Sequence, residues 1–286
     1  MDPIQGSPVL KEVIEAAKNL PPFPDVVWKV MPLLKKMAPV KEIEAVIKYD
    51  QVITARVLAL SRSAHFSRRR DIDSLQDAIV ALGDEQLIFV IMTACSSRYF
   101  SGESGGYDLR EGELWEHAVA SALMSEIVAQ RIGFQKTLTA YTAALLHDIG
   151  KTVLNFYIKS YFDDIFSLVQ KNKMRFIDAE RKVLGINHQQ LGSLIAQHWR
   201  FPPPVITAIA YHHCPKKAES DKDLAALVYI VNRMISAIGI GTGVDGFEQP
   251  NEDEVFVEMG MKHRMVEGCL AELVEAMAKT RQFLSN

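Results

Sequence analysis

The sequence has few cysteines, little excess charge and no cysteine pair, and each shortage excludes a class of protein. Of its 286 residues only three are cysteines, Cys95, Cys214 and Cys269, which stand far apart and form no CxxC motif. We therefore expect neither a disulfide framework nor a cysteine zinc site. The formal net charge is −3, so no bulk positive field attracts nucleic acid, and nucleic acid is not an expected partner.

Signals for membrane insertion and for export are also missing. No uninterrupted apolar run reaches the roughly 18–20 residues that are needed to cross a bilayer. The first residues, MDPIQGSPVLKEV, lack the basic and then apolar regions of a secretory signal. The sequence therefore predicts a soluble, cytoplasmic protein that has no membrane partner.

Helical periodicity dominates the chain, and we find no succession of alternating strands. The predicted fold class is all-α, with helices over residues 24–37, 41–49, 51–62, 73–98, 114–132, 138–158, 163–184, 188–199 and 223–238, and with one or two more over 255–284. A further helix is predicted in FPPPVITAIAYHH, whose prolines fit the first turn because a missing N–H costs little there. Glycine and serine cluster in the segment SGESGGYDLREGE, which indicates a linker. We predict an N-terminal helical part over 1–100, a linker over 101–112, a helical domain over 113–240 and a C-terminal helical extension over 241–286.

Histidines and acids gather beyond the predicted linker, in four local settings. GELWEHAVA places Glu113 four residues before His117, which puts the two on one helical face. LLHDIGK supplies His147, Asp148 and Lys151, GINHQQLG places His188 after the N-cap candidate Asn187, and AIAYHHCP ends a helix with His212 and His213. Imidazole and carboxylate suit borderline divalent metals, so such a set can hold one to three ions.

Each member taken alone has an ordinary structural explanation. A single histidine such as His117 or His188 is more often a hydrogen-bonded core or surface residue than a ligand. Paired imidazoles at 212–213 also suit the negative end of a helix dipole. The pair His147–Asp148 is harder to explain in this way, because burying charge without partners is costly. The set as a whole therefore indicates a metal site.

The order of these residues resembles the HD superfamily of metal-dependent phosphohydrolases, and more closely its HD-GYP branch, which degrades cyclic di-GMP on a two- or three-metal centre. Two features depart from that branch. Its tyrosine-proline loop after the paired histidines is replaced by CPKKAESDKD. Its final metal-binding aspartate corresponds to Asn232 in LVYIVNRMI, and a neutral amide is a poorer bridging ligand.

The first half identifies a nearer relative. The segments LPPFPDVVWKVMPLL, YDQVITARVLALSRSAHFS and IDSLQDAIVALGDEQL, followed by the histidine motifs, resemble an HDOD domain over roughly residues 18–240. The resemblance implies an N-terminal helical subdomain packed on an HD-like helical domain. HDOD domains are bacterial signalling or regulatory modules that are generally regarded as lacking hydrolase activity.

We therefore expect a bacterial signalling protein that binds a partner protein or a nucleotide-like ligand and keeps a degenerate HD-type metal site. The expected metal is iron, manganese, nickel or zinc, one to three ions, and the ligands implied by the resemblance are Glu113, His117, His147, Asp148, His188, His212 and His213. The first alternative is an active metal-dependent phosphohydrolase in which Lys151 contacts the substrate phosphate. The second is a structural adaptor without metal, whose histidines are paired by hydrogen bonds.

One basic cluster lies outside these motifs. The segment SRSAHFSRRRDID concentrates Arg62, Arg68, Arg69 and Arg70. The cluster has a ligand-binding interpretation, as a contact for phosphate or for an acidic partner, and an ordinary one, as a solvated loop.

Overall fold

The computed structural model describes residues 8–61, 72–100, 105–247 and 253–284, and these ranges are helical with no β-strand. The all-α class is therefore confirmed. The basic cluster at positions 62–70 and the first residues of the predicted linker lie outside the described ranges. The α-helices are, in chain order, α1 Pro8–Lys18, α2 Asp25–Lys35, α3 Val40–Ile47, α4 Gln51–Ser61, α5 Leu75–Phe100, α6 Glu113–Ile132, α7 Thr137–Leu146, α8 Ile149–Ser160, α9 Phe162–Asn172, α10 Phe176–Leu184, α11 His188–His198, α12 Pro203–Tyr211, α13 Lys222–Ala237, α14 Asp253–Glu258 and α15 His263–Leu284.

The chain divides into two compact units, each made of two segments. One comprises Met1–Pro22 and Tyr99–Val274, and the other comprises Phe23–Arg98 and Glu275–Asn286. These bounds differ from the predicted divisions, since the first unit includes residues of the predicted N-terminal part, linker and C-terminal extension. The predicted domain divisions stay a prediction.

The unit that holds Phe23–Arg98 is built on α2 to α5. Helices α2 and α3 pack together, and Val30 and Ile47 are fully buried. Helix α5 contains a kink at Gly83, whose φ of 71° is a left-handed value that glycine adopts without steric cost. Among the described residues, α5 is the one helix long and apolar enough, by length and composition, to cross a membrane. Most of its apolar window is buried inside the protein, which is also the pattern of a core helix.

The unit that holds Tyr99–Val274 carries all the histidine motifs. Helix α6 packs on α7 and α13, α11 packs on α8 and α12, and α1 lies on α8 and α11. At the crossing of α8 and α11 the backbones come so close that a Cβ on Gly150 would lie 2.1 Å from the carbonyl oxygen of His188. A glycine is therefore required at position 150.

Two predicted local signals are confirmed in this unit. Asn187 caps α11, because its side chain accepts from the backbone N–H of Gln190 at 2.9 Å, and the Gln190 side chain accepts in return from the backbone N–H of Asn187 at 3.3 Å. The prolines of FPPP do open α12, where Pro203 stands in the first turn.

The structure corrects three helix predictions. The continuous helix predicted over 138–158 is two helices, α7 and α8, separated by His147 and Asp148. The helix predicted over 163–184 also divides, at Lys173, which has a left-handed φ of 52°. Helix α1 has no counterpart among the predicted helices, and its Val13 is fully buried.

Part of the predicted linker is packed rather than exposed. Residues Gly105–Tyr107 form a 3₁₀ turn, and the Tyr107 side chain is fully buried. The backbone N–H of Gly106 donates to Oδ1 of Asn155 at 2.7 Å, which ties this turn to α8. Gly106, one of the glycines that suggested a linker, therefore allows a close approach of two backbones, since a Cβ there would lie 2.3 Å from the Asn155 carbonyl oxygen.

Candidate metal centre

The break between α7 and α8 places two polar side chains in the interior of the unit. His147 ends α7 with helical backbone angles, and Asp148 precedes α8 with φ of −98° and ψ of 11°. Both side chains are completely buried. Adjacent residues of a continuous helix point about 100° apart, so the change of backbone direction at this point lets both reach one cluster.

The Asp148 carboxylate lies at the centre of two groups of histidines. Its Oδ2 lies 3.4 Å from Nε2 of His147 and 3.8 Å from Nε2 of His117. Its Oδ1 lies 3.5 Å from Nε2 of His212 and 3.8 Å from Nε2 of His188. His213 joins the second group, since its ligand atom lies within 4.8 Å of those of Asp148, His188 and His212. The structure thus brings six of the seven predicted ligands together.

Backbone carbonyls orient three of the imidazole rings. Nδ1 of His147 lies 2.7 Å from the Ala144 oxygen, and Nδ1 of His212 lies 2.8 Å from the Ile209 oxygen. His117 makes the same kind of contact through Nδ1, at 2.8 Å from the Ile240 oxygen. Since a carbonyl only accepts, each Nδ1 carries the proton and each Nε2 presents a lone pair to the cluster.

Several of these inward-facing atoms have no hydrogen-bond donor. Nε2 of His147, Nε2 of His212 and both carboxylate oxygens of Asp148 are buried and accept no well-directed hydrogen bond, although Lys151 Nζ lies 2.7 Å from Asp148 Oδ2. Buried polar atoms are normally satisfied, so a cluster of inward-facing lone pairs is compatible with a bound cation. The donor set of imidazole and carboxylate fits a divalent transition metal.

Burial favours the neutral form of most of these imidazoles. It lowers the pKa of His117 to about 4, although the charge of Asp148 acts in the opposite direction. It also lowers the pKa of His212 to about 3 and that of His213 well below the usual range. Burial would raise the pKa of Asp148, but the charges of His147 and Lys151 outweigh it and hold that pKa well below its ordinary value. At neutral pH the site therefore offers neutral imidazoles at His117, His212 and His213 beside an ionised Asp148 carboxylate.

His188 is held by residues that the sequence analysis missed. Glu180, fully buried, has Oε2 2.9 Å from Nδ1 of His188 and accepts from its backbone N–H at 3.0 Å. The Tyr107 hydroxyl donates to Oε1 of Glu180 at 2.7 Å. Burial alone would lower the pKa of His188, but the charge and hydrogen bond of Glu180 raise it. Such carboxylate–histidine pairs are typical partners of metal-binding imidazoles.

The paired histidines are also held through their backbone. With the Gln189 amide turned so that its oxygen faces the available donors, that oxygen accepts from the backbone N–H groups of His212 at 3.1 Å and His213 at 2.8 Å. Nε2 of His213 lies 3.0 Å from Nε2 of His188, so one of these two imidazoles donates to the other. Nothing in the sequence around Gln189 indicates that its side chain binds the backbone of a distant histidine pair.

Lys151 lies between two carboxylates. Its Nζ is 2.7 Å from Oδ2 of Asp148 and 2.6 Å from Oδ2 of Asp245, and the side chains of Lys151 and Asp245 are only 6% and 8% exposed. Burial would lower the pKa of Lys151, but the two carboxylates raise it above its ordinary value. Asp245 belongs to the 3₁₀ turn Val244–Phe247, which lies between the helices predicted over 223–238 and 255–284.

Two positions differ from the implied ligand set. Glu113 lies one turn before His117 in α6, but its carboxylate accepts from the backbone N–H of Arg110 at 2.8 Å and pairs with the Arg110 guanidinium at 2.6 Å. It belongs to neither of the two groups of ligand atoms. Asn232 is buried in α13, with Oδ1 3.1 Å from Nε2 of His117. A neutral amide therefore stands beside the His117 side of the cluster.

An all-helical unit with a buried histidine and aspartate cluster at a helix break agrees with the HD-like arrangement that the sequence resemblance implies. The HDOD domain family model matches residues 20–215, so the chain belongs to the HDOD family. A protein of Treponema pallidum with no assigned function is 22% identical over 81% of this chain, and the chain spans 45% of the length of that protein.

Solved structures agree with this fold over nearly the whole chain. An HDOD domain protein of unknown function from Geobacter sulfurreducens is 26% identical with a TM-score of 0.75, and 97% of this chain and 96% of that chain are covered. A Marinobacter aquaeolei protein provisionally named as a signal transduction protein is 21% identical with a TM-score of 0.74, over 97% of this chain and 64% of that one. A Shewanella amazonensis protein provisionally named as a phosphohydrolase is 22% identical with a TM-score of 0.69, over 98% of each chain.

Proposed function

We propose that this protein is a cytoplasmic regulatory HDOD protein that holds divalent metal in a degenerate HD-type centre and acts by binding a signalling partner or a nucleotide-like ligand. The observation that carries this proposal is the set of buried lone pairs without donors on Nε2 of His147, Nε2 of His212 and Oδ1 of Asp148, whose other oxygen Oδ2 faces Lys151. A purely structural network would pair these atoms with donors, because leaving them unpaired in the interior is costly.

The ligands in this proposal are His117, His147, Asp148, His188, His212 and His213. Iron, manganese, nickel and zinc all accept such mixed donors, and one to three ions are compatible with the number of ligands. Bound metal supplies the positive charge that the buried Asp148 carboxylate and the imidazole lone pairs attract. Glu180 orients the His188 ring, and backbone carbonyls orient the rings of His117, His147 and His212. In each of these four rings Nδ1 contacts the orienting oxygen, so Nε2 faces the cluster.

The regulatory rather than catalytic role rests on Asn232. In the HD-type pattern this position carries a carboxylate, whose charge holds metal more tightly and whose oxygens can accept a proton from metal-bound water. An amide provides an oxygen ligand without the charge, so metal at the His117 side is held less tightly. Binding is retained in this proposal while hydrolysis is lost.

The second candidate is an active metal-dependent phosphohydrolase. One observation favours it, namely that the two oxygens of Asp148 face different groups of histidines, His117 and His147 on one side and His188 and His212 on the other. A carboxylate with this placement suits a two-metal site, and such sites serve phosphoryl chemistry. In this candidate Lys151 contacts the substrate phosphate.

Hydrolysis of bis(p-nitrophenyl) phosphate by manganese-loaded protein distinguishes the regulatory proposal from the phosphohydrolase candidate. We expect no turnover by the native chain above that of an Asp148→Asn variant, and measurable turnover by Asn232→Asp. The matched control is Asn172→Asp, which makes the same change of charge at an exposed position of α9. Turnover by the native chain that Asp148→Asn abolishes would contradict the regulatory proposal and support the phosphohydrolase.

A further inference from the structure

One of the three carbonyls that orient imidazole rings in the cluster comes from a distant part of the chain. Nδ1 of His147 and Nδ1 of His212 each face the carbonyl oxygen of the residue three positions earlier, at 2.7 and 2.8 Å. Nδ1 of His117 instead faces the Ile240 oxygen at 2.8 Å, and 123 positions separate these two residues. The orientation of the His117 ring therefore depends on the segment 240–247, which we call the strap.

The strap lies directly against α6 and against the 3₁₀ turn that ends at Tyr107. A Cβ on Gly241 would lie 2.3 Å from the Glu113 carbonyl oxygen and 2.7 Å from Cβ of His117. A Cβ on Gly243 would lie 2.3 Å from the Tyr107 carbonyl oxygen. Distances this short leave no room for side chains, so the two glycines are what allow the strap to dock over His117.

Asp245 attaches the strap to Lys151. Its Oδ2 lies 2.6 Å from Nζ of Lys151, and the same ammonium lies 2.7 Å from Oδ2 of Asp148. That oxygen of Asp148 is the one that faces His117 and His147. A cation at this oxygen competes with the ammonium for it and repels the ammonium, so the carboxylate that remains to Lys151 is that of Asp245. Positive charge on the His117 side of the cluster therefore strengthens the attachment of the strap.

We propose that docking of the strap completes the His117 side of the metal centre, and that metal on this side in turn holds the strap docked. The inference rests on the proposed metal centre and adds to it a segment that responds to metal. The rings on the opposite side are oriented from α10 and α12, so they do not depend on the strap. The two effects are reciprocal, because the factor by which docking raises metal affinity is also the factor by which metal favours docking. The strap lies beyond residue 215, where the match to the HDOD family model ends.

Two glycine variants separate docking of the strap from an ordinary backbone effect. Gly241→Ala and Gly239→Ala both place alanine at a positive φ, 54° and 78° respectively. The added Cβ meets α6 at position 241 and nothing within 4 Å at position 239. In isothermal titration of the metal-depleted full chain with Mn²⁺, we expect Gly241→Ala to bind the ion on the His117 side at least tenfold more weakly than Gly239→Ala does. In a His117→Ala background the two glycine variants should titrate alike, because the ion that depends on the strap is already lost.

Hydrogen exchange tests the reciprocal effect without a change in the strap. Addition of Mn²⁺ to the metal-depleted native chain should slow exchange in residues 241–247 at least tenfold. His117→Ala should abolish this slowing, and the matched control His263→Ala, which removes an imidazole that is 90% exposed, should retain it. This measurement decides the question by itself if Gly241→Ala does not fold.

The outcomes distinguish a failure of the inference from a failure of the metal centre. Metal that binds the native chain without slowing exchange in the strap would overturn the inference and leave the metal centre in place. Equal affinity of Gly241→Ala and Gly239→Ala for Mn²⁺ would do the same. A native chain that takes up no Mn²⁺ would refute the metal centre, and the inference with it.

Discussion

Replacement of Glu180 by glutamine tests how the His188 side of the cluster is built. The Glu180 carboxylate is completely buried and faces three donors, the Tyr107 hydroxyl, the His188 backbone N–H and Nδ1 of His188. Glutamine keeps the volume but offers one acceptor oxygen and an amide group that only donates. At least one of the three donors therefore loses its acceptor in the Glu180→Gln variant.

The expected decrease in stability follows from the donor that loses its acceptor. A buried donor left without a partner costs about 1–3 kcal/mol, and bonds to a charged acceptor are at the upper end of that range. We expect the free energy of unfolding of metal-free Glu180→Gln to fall by about 2–3 kcal/mol. His188 is also less firmly oriented, so metal affinity should fall by about 10- to 100-fold.

Urea unfolding in the presence of a metal chelator measures the change in stability, and isothermal titration with Mn²⁺ measures the change in metal affinity separately. Tyr107→Phe is the matched control, because it removes one donor and leaves both contacts between Glu180 and His188 intact. It should cost about 1 kcal/mol and leave metal affinity near that of the native chain. A Glu180→Gln variant whose stability lies within about 0.5 kcal/mol of the native value, with unchanged affinity for Mn²⁺, would refute the reasoning.

Two further predictions concern pH and packing. Because burial lowers the pKa of His117 to about 4 and of His212 to about 3, from 6.5, the unfolded state binds protons between pH 6.5 and pH 4 that the folded state does not. In the presence of a chelator, stability should therefore fall as the pH is lowered through that window. These two groups contribute a loss of about 3 kcal/mol between pH 6.5 and pH 5 in urea unfolding, to which the lowered pKa of His213 adds and which His188 opposes in part. A flat profile would contradict this account. A methyl group on Gly150 would meet the His188 carbonyl oxygen at 2.1 Å, so Gly150→Ala should lose about 3 kcal/mol in thermal or urea unfolding. Gly105→Ala, which meets nothing within 4 Å, should lose less than about 0.5 kcal/mol, and equal losses for the two variants would show that the close crossing is not the cause.

The fold class and the members of the cluster were accessible from the sequence because their signals are local. Helical periodicity, the cap at Asn187 and the prolines before α12 each depend on neighbours a few residues away. The histidine motifs were recognisable through their order along the chain, and the structure brings six of the seven residues together. Glu113 was included by its spacing from His117, but a competing cation three residues away, Arg110, takes its carboxylate.

What the sequence did not reveal depends on segments that meet only in the folded chain. Glu180 contacts His188 across a helix start, and Asp245 contacts Lys151 from a turn far along the chain. In the sequence, the glutamate in α10 and the aspartate among the glycines of the Val244–Phe247 turn look like ordinary surface residues, because nothing nearby in the chain indicates that they contact the cluster. The break at His147 was also missed, because both sides of it have helical periodicity and no proline or glycine stands at the break itself.

Metal content of protein purified without added metal is the most direct test of the central claim. Elemental analysis should find at least one transition-metal ion per native chain. The ion should be lost in a His147→Ala/His212→Ala double variant, which removes the two imidazoles whose Nε2 atoms have no donor. It should be kept in the matched His198→Ala/His263→Ala variant, which removes two exposed histidines. No metal in the native chain, even after reconstitution, or equal metal in the two double variants, would contradict the account.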